Sequence, residues 1–139
     1  MYSRVYRKYP DLGATTHSYA SHLTTLRVTR QPLPVTYEPL LRVGLHEGIP
    51  IAWVPRGFHA FISGILNTLV NSATSTTLLA NHSALVGGIG LDRSRTRPTP
   101  LREAAGLALQ TDAKGGITRL TPAPHAEVRA RQNPCRAPL

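Results

Sequence analysis

Thirty-five consecutive residues, 57–91, contain no Asp, Glu, Lys or Arg, in a chain of 139 residues of which 17% are charged. At that frequency about six ionised side chains would fall in such an interval, and a helix face that meets water normally carries them. Residues 57–91 therefore belong where bulk solvent does not reach. The same interval is free of proline, although the chain has 12 prolines in all. It is the one place where the sequence permits a long helix.

Within it Phe58, Phe61, Ile62, Ile65, Leu66, Leu69 and Val70 recur at i, i+3, i+4 and i+7, the spacing of one helical stripe. The opposite face is small and polar, and Gly64, Thr68, Ser72 and Thr76 stand at every fourth position. Such a row lets helices approach closely. At 1.5 Å per residue, a helix over 57–80 would span roughly 35 Å, enough for a bilayer core. Asn67 and Asn71 are expensive in lipid, so the sequence predicts a single transmembrane helix only where other helices cover the polar face. A helix held between other chains, or the core helix of a small domain, are the alternatives.

Charge divides the rest. Residues 1–56 form a basic, proline-interrupted segment with seven basic and three acidic residues, and residues 92–139 an Arg/Pro-rich segment with nine and four. In the first, Tyr2, Val5, Tyr6 and Tyr9 share one helical face and Arg4, Arg7 and Lys8 the other. Runs 23–29 and 49–54 suggest strands, but prolines at this density suit edges or irregular chain. In the last segment, Pro100 at a first helical position followed by Leu101, Ala104, Ala105, Ala108 and Leu109 predicts a helix over about 100–110. Residues 112–116 read as a turn, 117–121 as a short strand, and the tail as extended. The expected fold is mainly α with extended irregular flanks, one long uncharged helix, one short C-terminal helix, and little independent globular core.

Motifs of catalysis are missing. The seven acids, Asp11, Glu38, Glu47, Asp92, Glu103, Asp112 and Glu127, are scattered, and His17, His22, His46, His59, His82 and His125 form no metal-ligand spacing. His59 and His82 read as neutral packing residues. Gly87, Gly88 and Gly90 resemble half of a nucleotide loop, but no Gly-Lys-Ser/Thr comes after them. The single cysteine, Cys135, excludes an internal disulfide.

The 16 basic residues, 14 of them Arg, give a formal net charge of +9 and an appetite for anionic partners. Arg4, Arg7, Lys8, Arg93, Arg95 and Arg97 are the candidate contacts; in an extended strand the last three would project to one side about 7 Å apart, near the spacing of phosphates. These features predict a non-catalytic accessory subunit of a large multi-subunit assembly, in a mitochondrial or other organellar membrane complex on the inner-membrane or matrix side. Its partners would be other protein subunits and lipid, with no small-molecule substrate, cofactor or metal. The alternative is a basic ribonucleoprotein component whose arginines contact RNA phosphates.

Overall fold

The structure, a computed structural model, describes residues 2–52, 58–72 and 74–131. Thr76 and Thr77, β-branched residues with a strong preference for pleated backbone, open a strand, β3 (Thr76–Leu79), that turns at Asn81 into β4 (Ala84–Gly88). Asn81 takes the left-handed conformation, φ 55°, which a short polar side chain tolerates. The hairpin is antiparallel, with Thr76 opposite Val86, Thr77 opposite Leu85 and Leu78 opposite Ala84. β1 (Ala14–Ser18) pairs antiparallel with the free side of β4, and β2 (Ile51–Ala52) pairs parallel with β3, giving the order β1-β4-β3-β2.

Alternation along the hairpin sends its side chains to two faces. Leu78, Ala84 and Val86 join one apolar cluster, together with Leu23 and Leu26 of α2 (Ser21–Thr29), Leu40 and Leu41 of α3 (Glu38–Arg42), and Leu101, Ala104, Ala105 and Ala108 of α6 (Pro98–Asp112). Leu79 and Leu85, with Ala52, face the other way onto Ile65 and Leu69 of α4 (Phe58–Val70), and Tyr9 packs on that cluster just beyond α1 (Tyr2–Lys8). Helices cover both faces of one sheet. Every residue of β3 and β4 is buried, which is the physical reason that these strands carry no charge; α4, in the same uncharged interval, exposes Ser63, Asn67 and Val70.

The long helix, the transmembrane span and the lack of a globular core are thus corrected. α4 has 13 residues, and among the described residues no helix is long and apolar enough to cross a membrane. Beyond α4 the chain forms a buried hairpin, because Thr76 and Thr77 favour strand and the turn at Asn81 returns the chain beside itself. Run 23–29 is helical: Leu23, Leu26 and Arg27 are buried along one side, a spacing of three and four that a strand would scatter over two faces. Residues 117–121 carry no strand. The expected C-terminal helix is α6, with prolines in its first turn.

Two short helices complete the described chain, α5 (Leu91–Thr96) and α7 (Pro122–Arg131). α5 lies against β4 and β1, and Gly88 makes this approach possible: a Cβ there would lie 2.8 Å from the Ser94 backbone nitrogen. Gly88 serves a close contact between helix and sheet.

Leu85→Ala would remove a side chain 1% exposed between two buried neighbours and should lower the unfolding free energy by about 2–5 kcal/mol. Gly88→Ala should also destabilise, by pushing α5 off the sheet. Urea unfolding monitored by circular dichroism measures both, with a single cooperative transition expected for the parent chain.

Candidate histidine site at the hairpin turn

β1 runs beside β4 with His17 opposite Leu85 and Ser18 opposite Ala84, so the imidazole of His17 lies next to the turn carrying Asn81, His82 and Ser83. The hairpin closes through Leu79 N–H to Ser83 O (2.7 Å) and His82 N–H to Leu79 O (3.0 Å). The turn is also docked from outside: the Arg27 carbonyl, near the end of α2, accepts N–H bonds from Arg30 (3.2 Å) and Asn81 (3.3 Å). Arg30 is left-handed too, φ 57°, and its Nε donates to Asn81 Oδ1 at 3.4 Å. Two left-handed residues bonded to one another fix the position of His82.

The rings of His17 and His82 lie edge to face with centroids 5.5 Å apart. Tyr19 stacks on His17 at 5.2 Å and meets His82 at 5.5 Å, and Phe61 of α4 meets His82 edge to face at 6.1 Å. The Tyr2 hydroxyl is 3.0 Å from His17 Nδ1. His17 Nε2 is hydrogen bonded to Ser83 Oγ, and Ser83 is fully buried. A neutral imidazole has one donor and one acceptor nitrogen. The chain is satisfied when Tyr2 O–H donates to Nδ1 and Nε2–H donates to Ser83.

Burial pushes the His17 pKa below 6.5, and the neighbouring His82 and Arg27 push the same way. His17 is therefore neutral at pH 7, the form that accepts a proton. Arg27 is itself buried, donating to Ser18 O at 3.3 Å and to Thr24 Oγ1; burial lowers its pKa to about 10, which leaves it charged at pH 7.

Two imidazoles are the whole donor set for a metal here. Among the described residues no three His, Cys, Asp or Glu come together, whereas a catalytic zinc takes three protein ligands and a water. His17 moreover commits both ring nitrogens to Tyr2 and Ser83. These residues do not fit a resident metal ion.

The residues singled out in the sequence fall elsewhere. Of the stripe, Ile62, Ile65 and Leu69 are buried, Phe61 and Leu66 are half-buried, and Val70 is 54% exposed; Phe58 opens α4, its side chain outside the described residues. Gly64 and Thr68 lie on α4, joined by a bond from Thr68 Oγ1 to Gly64 O. Ser72 comes after the helix and Thr76 is in β3, so the four form no continuous helix-packing row. Arg4 stands 3.4 Å from His59 Nδ1, and Arg7 and Lys8 are exposed at the end of α1.

Arg93, Arg95 and Arg97 do not form an extended clamp. The first two are on α5, and Arg97 lies just past its end, only 3% exposed. Its guanidinium donates to Val43 O (2.9 Å), Ser75 Oγ (2.7 Å) and Gly87 O. Burial and the nearby Arg93 lower its pKa to about 10, so it stays charged and ties three segments together. Phosphate cannot reach it.

No protein-family model and no curated protein matches the chain. Solved structures do. An L-fuculose 1-phosphate aldolase superposes with a TM-score of 0.79 at 19% identity, over 94% of this chain and 60% of that one. The YgbL protein of Klebsiella pneumoniae gives 0.74 at 21% over 92% and 62%, and an aldolase II superfamily protein from Pseudomonas syringae 0.63 at 17% over 94% and 52%. The chain shares its fold with these solved structures. The chain spans between half and two thirds of the length of these aldolase II structures.

The accessory membrane subunit expected from the sequence is overturned by this shared fold, by the apolar face that the chain covers itself, and by the shortness of α4. The expectations of no enzyme and no small-molecule substrate are corrected with it, since the similar folds carry the names of an L-fuculose 1-phosphate aldolase and, for YgbL, an aldolase/epimerase/decarboxylase. The ribonucleoprotein alternative loses its phosphate clamp with the burial of Arg97. Sequence reasoning passed over His17 and His82 because they are 65 residues apart. The signal that could have found them was a Thr15-His17-Tyr19 alternation, together with Asn81-His82-Ser83 between two apolar runs.

A histidine whose native pKa lies below its unfolded value binds fewer protons in the folded state, so stability should fall as pH drops below about 6.5 and be unaffected by His17 above about 7.5. Urea midpoints between about pH 5 and 8 should show a smaller acid loss in His17→Gln than in the parent.

Proposed function

We propose that the His17–His82 cluster is the active site of an enzyme that moves a proton at a carbon next to a carbonyl group in a small molecule. Aldol cleavage, epimerisation and decarboxylation share this demand: each passes through an enolate, which must gain or lose a proton at carbon while negative charge sits on oxygen. These are the reaction types carried in the names of the structurally similar proteins.

The observation that carries the reading is the continuous chain from the partly exposed Tyr2 hydroxyl through neutral His17 to buried Ser83. As the Tyr2 oxygen takes a proton from the substrate carbon, its own proton passes to His17 Nδ1. The resulting imidazolium keeps its Nε2–H on Ser83. Reversal of the same path returns the proton to carbon on the other face of the enolate or after loss of a fragment. His82, held by the turn and edge-on to His17, is placed to donate to the enolate oxygen. Tyr19 stacks on His17 and Phe61 lies against His82, which holds the two imidazoles in orientation.

Purified protein incubated in D₂O with ketose 1-phosphates, 2-hydroxy acids and 3-oxo acids should exchange the proton next to the carbonyl, or cleave the adjacent bond, in at least one compound by NMR. Positioned proton transfer contributes about 10²–10⁴-fold, and Tyr2→Phe and His17→Gln should each lose about that much while melting near the parent temperature. Exchange in none of the compounds, or equal exchange in His17→Gln, would overturn the assignment.

A further inference from the structure

A second cluster of imidazoles lies away from the hairpin turn, where the chain crosses itself between α3 and α7. The segment around Leu33 is bonded to the segment around Ile49 in both directions, Leu33 N–H to Ile49 O at 3.1 Å and Ile49 N–H to Leu33 O at 2.8 Å. Leu120 N–H then bonds to Val35 O at 3.2 Å, bringing the stretch before α7 alongside. These three segments line an open cavity of about 390 Å³.

Its walls include Pro32, Pro34 and Pro50, with Leu33 and Leu120. Proline fixes its own φ and has no side-chain torsion to freeze, so the walls are formed in advance and a ligand orders little on entry. The volume is toward the lower end of the roughly 300–1,000 Å³ range of small-molecule pockets, which suits a body of one or two rings.

Three polar residues line this cavity. His46 is 8% exposed; His125 of α7 faces it with ring centroids 6.3 Å apart and planes tilted by 49°; Arg119 stands at the rim. No carboxylate lines it among the described residues. A guanidinium beside the His125 imidazole, with no acid among the described residues of the lining, is complementary to a carboxylate, which such a fork binds in two parallel hydrogen bonds. Phosphate would match the charge but leave the proline and leucine walls without an apolar partner.

We infer that this cavity is a second ligand site, independent of the His17–His82 cluster, which takes a small aromatic monocarboxylate with its ring against Pro32, Pro34 and Leu33 and its carboxylate on Arg119 and His125. Nothing in the proton-transfer reading requires it. Occupancy of this cavity would also fasten the segment before α7 to the body of the fold, so binding should raise the melting temperature.

Calorimetric titration of the whole chain with phenylacetate tests the assignment, using phenylacetamide as the uncharged counterpart and inorganic phosphate as the anion without a ring. Phenylacetate should bind, with the amide and phosphate each at least about tenfold weaker, the weight of one charge-assisted contact. Arg119→Gln and His125→Gln, at exposed and half-exposed positions, should each weaken phenylacetate about as much with the melting temperature of the free protein unchanged. His17→Gln should bind it as the parent does. Absence of heat with phenylacetate, equal binding of the amide, or loss of binding in His17→Gln would each overturn the inference.

Discussion

Burial of both faces of the β3–β4 hairpin is the constraint on which the other elements depend. A strand covered on one side alternates apolar and polar residues; one covered on both has nowhere to put a charge without removing it from water. Once Leu78, Ala84 and Val86 face one way and Leu79 and Leu85 the other, helices must lie on each side. α2, α3 and α6 meet the first requirement and α4 the second. The stripe of α4 that looks as though it awaits a neighbouring protein is covered by the sheet of its own chain.

Two buried arginines hold this arrangement where apolar contact alone would leave backbone groups unmatched. Arg97 supplies donors to the carbonyls of Val43 and Gly87 and to Ser75, and so joins the end of α3, the approach to β3 and the end of β4. Arg27 bonds to Ser18 O beside the histidine site, and its own carbonyl receives the hairpin turn. Carbonyl and hydroxyl dipoles bear both charges, and the depressed pKa values record the cost of burial. Functionally, the consequence is that the turn bearing His82 is clamped from the α2 side, while β1 sets His17 against it. The site is held by backbone pairing and by a helix end.

The formal net charge of +9 does not act as one surface. Arg97 and Arg27 are internal struts, Arg42 pairs with Glu38 at 2.8 Å, Arg30 is spent on the hairpin turn, and Arg119 stands at a cavity of its own. Counting arginines along the chain mixes these roles, whereas their burial and partners separate them.

By itself the sequence determined the buried stripe of α4 and the presence of α6. The spacing from Phe61 to Leu69, and Pro100 followed by Leu101, Ala104, Ala105 and Ala108, are local patterns that report helical phase directly, whereas the lack of charge in 57–91 did not report burial, since Ser63, Asn67 and Leu91 are exposed. Only the tertiary structure decided what covers that stripe, that residues after Ser75 form a hairpin, and that His17 and His82 share a site. The shared site depends on register between segments more than 60 residues apart, such as His17 opposite Leu85. A strand register is fixed by the sum of many weak side-chain contacts across the sheet, and no single residue along the chain announces it.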